Sequence, residues 1–167
     1  MSTDIAIYPA SFDPITNGHV DIAERAATIF GKLIVGVYSK PMKNLLFSAE
    51  ERWQMTQEAL AHIPNVTVKQ YSNLTIQFAR EHQARVIVRG LRVVSDFEWE
   101  FQLALTNRTL APDIDTVSLM ASQEYSFLSS SLLRDIALNK GSVNHLAPPN
   151  VVEALLKKVA ELDGEGS

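Results

Sequence analysis

Apolar residues recur along this chain in two rhythms. Ile5-Ala-Ile-Tyr-Pro9, Leu33-Ile-Val-Gly-Val-Tyr38 and Arg85-Val-Ile-Val-Arg89 are short, nearly continuous apolar runs, as expected of buried strands. Val66-Thr-Val-Lys-Gln-Tyr71 alternates with period two, and Ile114 to Met120 makes a fifth strand-like run. Between the runs the period lengthens. Val20, Ile22, Ala23, Ala26, Ile29 and Phe30 recur at helical spacing in a helix beginning near Gly18. Ser48-Ala-Glu-Glu51 has the form of a capping box, which predicts a helix from there to about Ala61. Further helices are predicted from Leu74 to about His82, from about Asp96 to Leu110, from about Ser129, and after Pro148-Pro149.

Strand-like runs alternating with helices predict an α/β, Rossmann-like domain: a five-stranded parallel sheet with helices on both faces. Right-handed crossovers bring the strand C-termini and their following loops to one edge, where ligands of such folds bind. A length of 167 residues suits a single domain, read as 1–162, with 163–167 as a flexible tail.

Composition narrows the chemistry. With no cysteine, disulfides, thiolate metal sites and cysteine nucleophiles are excluded. A formal net charge of -4 argues against bulk binding of nucleic acid. No export leader and no membrane-length apolar run is visible, so the expected compartment is the cytoplasm. His19, His62, His82 and His145 are scattered without paired carboxylates, so no protein metal site is expected. The first strand–helix turn has neither the glycine-rich dinucleotide fingerprint nor a Walker-type loop, which disfavours ordinary dehydrogenases and kinases.

Three polar clusters fall at predicted strand ends. In Tyr8-Pro-Ala-Ser-Phe-Asp-Pro-Ile-Thr-Asn-Gly-His19, a helix N-terminus, Ser11 and His19 offer donors to phosphate; turn and cap making by Asp13, Thr16 and Asn17 is the alternative. Arg89-Gly-Leu-Arg92 presents two guanidiniums suited to paired phosphate oxygens, or else two solvated surface arginines. Ser129, Ser130 and Ser131 open a helix where hydroxyls and amides suit distal phosphates, although an N-cap explains one of the three, and Arg134 follows one turn on. Lys40 and Lys43 lie in the loop after the second strand. Glu98, Trp99 and Glu100 read as a helix with one solvated face, and Trp53 as packing.

These segments, with Asp96-Phe-Glu98 and Tyr125-Ser-Phe-Leu-Ser-Ser-Ser131, resemble the bacterial phosphopantetheine adenylyltransferases in order from about Ile5 to Leu156. Thr16-x-Gly-His19 is similar to the His-x-Gly-His signature of the wider nucleotidyltransferase superfamily. The resemblance implies transfer of AMP from ATP to 4′-phosphopantetheine, giving dephospho-coenzyme A and pyrophosphate, with Mg2+, in a homohexamer that takes coenzyme A as a feedback ligand. It also implies that Ser11, Lys43, Thr75 and Arg89 contact phosphopantetheine. Ser11, Phe12, His19, Gly90, Leu91, Arg92, Glu100, Tyr125, Ser126, Phe127, Leu128, Ser129, Ser130 and Ser131 would contact ATP. His19, Lys43, Arg92 and Ser11 would serve catalysis, with His19 as transition-state stabiliser. Ser11 stands where threonine is usual, Asn44 where a second lysine is common, and Thr75 at a variable position. The alternatives are a related nucleotidyltransferase with another phosphorylated acceptor and a non-catalytic nucleotide-binding sensor.

Overall fold

A computed structural model describes residues 4–41 and 45–165. Strands β1 (Ile5–Ala10), β2 (Lys32–Tyr38), β3 (Val66–Tyr71), β4 (Val86–Leu91) and β5 (Asp115–Met120) alternate with helices α1 (Asn17–Ile29), α2 (Ala49–Ala59), α3 (Thr75–Glu81) and α4 (Val94–Leu110). A 3-10 turn at Gln123–Tyr125, α5 (Ser130–Leu138) and α6 (Pro149–Glu165) complete the chain. All strand pairings are parallel, in the order β3-β2-β1-β4-β5, so the Rossmann-like reading holds.

Alternate residues of the strands feed two cores. Tyr8, Val35 and Val88 face α1, α2, α5 and α6 through Ile22, Met55, Leu133 and Leu155. Ile7, Ile34 and Ile87 face the other way, onto Phe78 of α3 and onto Ala111 and Ile114 beyond α4. Gly36 in β2 is required by packing: a Cβ there would lie 2.6 Å from the Phe78 ring, which stacks on Tyr71 at 4.4 Å.

Strand order reverses between β1 and β4. The loops leaving these neighbours run apart, which is the switch point where α/β folds open a crevice. Ser48 and Glu51 form the expected capping box, and Ser129 caps α5 through the amide of Leu132 at 3.1 Å. Helix α4 starts at Val94, two residues earlier than expected, because the Asp96 carboxylate reaches back to the Arg92 amide at 3.3 Å. Helix α6 runs on through Glu165, past the expected boundary at 162, with Lys140 Nζ 3.2 Å from the Asp163 carboxylate.

Candidate active site

Beyond β1 the chain turns through Ser11 and Phe12, and Phe12 has a left-handed backbone (φ 49°) that an aromatic residue adopts only when its surroundings impose it. The turn delivers Thr16 to the N-cap of α1. Its amide donates to His19 Nδ1 at 3.0 Å, while His19 N donates to Thr16 Oγ1 at 3.3 Å. This is a capping box with histidine in the place of glutamate. Because Nδ1 accepts an N–H, the neutral ring carries its proton on Nε2. Burial, then the Arg92 and Arg89 charges, push the imidazole down to about 4. At neutral pH His19 is therefore an uncharged ring with one N–H to donate, and it lines the crevice.

The loop after β4 forms the facing wall. Arg89 donates from Nε and Nη2 to the two Glu100 oxygens, both at 2.8 Å, and from Nη1 to the Pro9 carbonyl at 2.7 Å. Arg92 donates to Asp96 from Nε at 3.0 Å and to the Leu128 carbonyl from Nη1 at 3.0 Å. These are not solvated arginines. Glu100 is likewise not on a solvated face: its side chain is 11% exposed and turned inward by Arg89. A Cβ at Gly90 would meet Ile22 of α1 at 3.3 Å, so glycine lets the two walls approach.

The third wall is the start of α5. Ser130 Oγ donates to the Pro14 carbonyl at 2.7 Å, and Ser131 Oγ accepts from Arg134 at 3.3 Å. With Ser129 committed to the cap, all three hydroxyls already hold structural bonds. The amides of Ser130 and Ser131 have no intrahelical acceptor and leave the helix N-terminus open to an anion. Arg134 donates to the Asp13 carbonyl and, at 3.1 Å, to its carboxylate. The same carboxylate also accepts the Leu46 amide on Oδ2, the oxygen it shares with Arg134, and the Phe47 amide on Oδ1, each at 2.9 Å.

Together these walls enclose a cleft of about 350 Å³. It brings together Ser11, Phe12, His19, Arg89, Gly90, Arg92, Glu100, Tyr125, Leu128, Ser129, Ser130 and Ser131. Leu91, Ser126 and Phe127 are not among its lining residues. Thr75 stands apart at the start of α3, 3.1 Å from the Tyr71 hydroxyl. Lys43 and Asn44 lie outside the described residues. Tyr8, Asp96 and Trp99 line the cleft without having been singled out as site residues; for Asp96 the i, i+4 spacing from Arg92 was the available signal. The cleft carboxylates Asp13, Asp96 and Glu100 are each paired with an arginine. Among the described residues no group of three or more His, Asp or Glu could hold a metal ion.

Residues 7–136 match the cytidylyltransferase-like family model. The chain is 56% identical over 151 residues to the phosphopantetheine adenylyltransferase of Roseiflexus sp. (strain RS-1), covering 90% of this chain and 94% of the relative. It is 52% identical over 160 residues to that of Thermomicrobium roseum, covering 94% and 96%, and 51% identical over 154 residues to that of Moorella thermoacetica, covering 92% and 96%. The crystal structure of a putative nicotinate-nucleotide adenylyltransferase from Vibrio parahaemolyticus superposes with a TM-score of 0.71 over 95% of each chain at 17% identity, a likeness of fold.

Proposed function

The chain belongs to the phosphopantetheine adenylyltransferases of the cytidylyltransferase-like family, and from that premise we propose how its cleft carries out their reaction. The enzyme is a nucleotidyltransferase of coenzyme A biosynthesis. ATP and 4′-phosphopantetheine meet in the cleft, and dephospho-coenzyme A and pyrophosphate leave it.

The acceptor is a phosphate monoester with a second pKa of about 6, so near neutral pH it is largely dianionic. One of its oxygens attacks the α-phosphorus of ATP; the new P–O bond forms as the bond to pyrophosphate breaks. No proton has to be removed. The protein's share is in-line positioning and relief of negative charge on the α-phosphate. We assign that relief to His19 Nε2–H and Arg92, with Lys43 and Ser11 beside the attacking phosphate and Arg89 and Thr75 on the acceptor side. The α5 amides and Ser129 to Ser131 take the distal phosphates. Phe12, Gly90, Glu100, Tyr125 and Leu128 border the nucleotide.

The observation that carries this reading is the Thr16 amide on His19 Nδ1, because it occupies the lone pair a general base would need and leaves a neutral donor facing the cleft. The paired cleft carboxylates offer no cage for a resident metal, so Mg2+ belongs with ATP, bound by its phosphates. Coenzyme A, which shares the product's pantetheine and adenylate parts, fits the same cleft as a feedback ligand. No helix among the described residues is long and apolar enough to cross a membrane, and the cytoplasm is our proposed compartment. A homohexamer is proposed from the family and from the uncovered apolar residues of α4, including Val94, Phe97 and Phe101.

Incubating the purified protein with ATP, Mg2+ and 4′-phosphopantetheine should release pyrophosphate and give a dephospho-coenzyme A mass. ATP binding without either product would make the protein a nucleotide sensor instead.

A further inference from the structure

Under the cleft floor lies a buried cation. Arg52, on α2, is 2% exposed. Its Nη1 donates to the carbonyls of Ser11 at 2.5 Å and Tyr38 at 2.8 Å, and its Nε donates to the carbonyl of Phe47 at 3.2 Å. It forms no ion pair among the described residues. Asp13, whose charge acts on it through space, is committed to Arg134 and to the Leu46 and Phe47 amides.

Burying a guanidinium without a contacting carboxylate carries a large desolvation cost, and an apolar residue would fill the same place on α2 more cheaply. What the arginine gains is three carbonyls from three separate segments. Ser11 leads into the left-handed turn at Phe12, Tyr38 ends β2, and Phe47 precedes the cap of α2. The turn at Phe12 is thereby held on both sides: Arg52 takes the carbonyl before it and Arg134 the carbonyl after it. A planar fork with fixed donor directions can tie three such groups at once, whereas a lysine ammonium on its flexible stem cannot impose the same geometry.

We infer that Arg52 is a positioning residue for adenylyl transfer: it touches no substrate, but fixes Ser11 and the Phe12 turn that leads to His19 against the ends of the β2–α2 loop. The inference rests on the cleft being the transfer site. Its geometric half does not depend on activity.

Arg52→Lys and the neutral Arg52→Gln test it together. Each folded variant is examined by amide hydrogen exchange, by ATP binding, and by turnover beside the wild type. Expected is faster exchange confined to segments 11–13 and 46–47, ATP affinity within about threefold of wild type, and turnover lower by about tenfold or more, since misplacing reacting groups by an ångström costs up to about 10² in rate. A folded variant with wild-type turnover, or with exchange raised uniformly through α1 and the sheet, would overturn it. So would failure of both variants to fold, which would make Arg52 a support of the core. An inactive wild type with the local exchange change intact would remove the transfer reading and leave the clamp standing.

Discussion

Helices α1 and α4 both wall the cleft, and they are built in opposite ways. Helix α1 buries Ile22, Ala23 and Ala26 against the sheet and leaves charged residues such as Glu24 outward, as an amphipathic helix should. Helix α4 buries no residue. Its half-buried positions are Asp96, Glu100, Leu103, Ala104 and Asn107, while Val94 is 88% exposed and Trp99 64%. The first helix is held by apolar area, so its polar N-terminus is free to serve chemistry. The second is held in part by the Arg92–Asp96 and Arg89–Glu100 pairs, which are also cleft residues, and several of its apolar residues are left exposed. In α1 the main support, its buried apolar face, is separate from the functional N-terminus, where His19 adds a capping contribution; in α4 the same side chains carry both.

That contrast sets the size of several effects. Ile22→Ala should destabilise the protein by roughly 2–5 kcal/mol in denaturant unfolding, as buried apolar truncations do. Phe101→Ala, at a position 51% exposed, should change the stability of dilute protein by no more than about 0.5 kcal/mol; if the proposed hexamer forms, the substitution should instead lower its light-scattering mass from near six times 18.5 kDa. Equal losses at the two sites would mean that α4 is held by its apolar residues after all.

Next in size is His19→Ala, which should lower turnover by about 10² or more while fold and ATP affinity persist, because α1 keeps its buried face. His19→Gln retains a donor that does not titrate and should recover part of that rate; a glutamine variant as inactive as alanine would return the histidine to the role of base. Glu100→Gln should act on both properties together. Losing the charged partner of Arg89 should cost roughly 1–3 kcal/mol and weaken ATP binding in calorimetry, and a change in only one of them would separate the two functions of α4.

A further effect is in pH dependence. His19 titrates near 4 in the folded protein and near its ordinary value of about 6.5 when unfolded. The unfolded chain therefore takes up the proton first as pH falls, so the contribution of His19 to stability is full above about 6.5 and is lost progressively toward 4. Unfolding curves of His19→Gln should fall less steeply over that window than those of the wild type.

The sheet and its helices were legible because each strand run and each amphipathic helix repeats its own period, and the Ser48 and Ser129 caps announced two helix starts. What escaped were relations between distant positions. Thr16 and His19 were each legible, one as a cap and the other as a phosphate donor, but not as one box that fixes a tautomer. Arg52 follows Glu50 and Glu51 and precedes Trp53, so in sequence it is one more charge on a helix; only folding brings the Ser11 and Tyr38 carbonyls to it. The exposure of apolar residues on α4 was hidden for a related reason. Its apolar residues are spread around the helix, so length revealed a helix while nothing local said that Glu100 turns inward to Arg89.

The tautomer and titration of His19 decide whether the cleft works by donation to phosphate. In ¹H–¹⁵N spectra of the imidazole nitrogens, followed from pH 8 to 3.5, His19 should show a protonated Nε2 and an unprotonated, hydrogen-bonded Nδ1 at neutral pH, with the ring charging only near 4. An Nδ1–H tautomer, or a midpoint near 6.5, would show that the Thr16 amide does not hold the ring and that a base is available beside the phosphates.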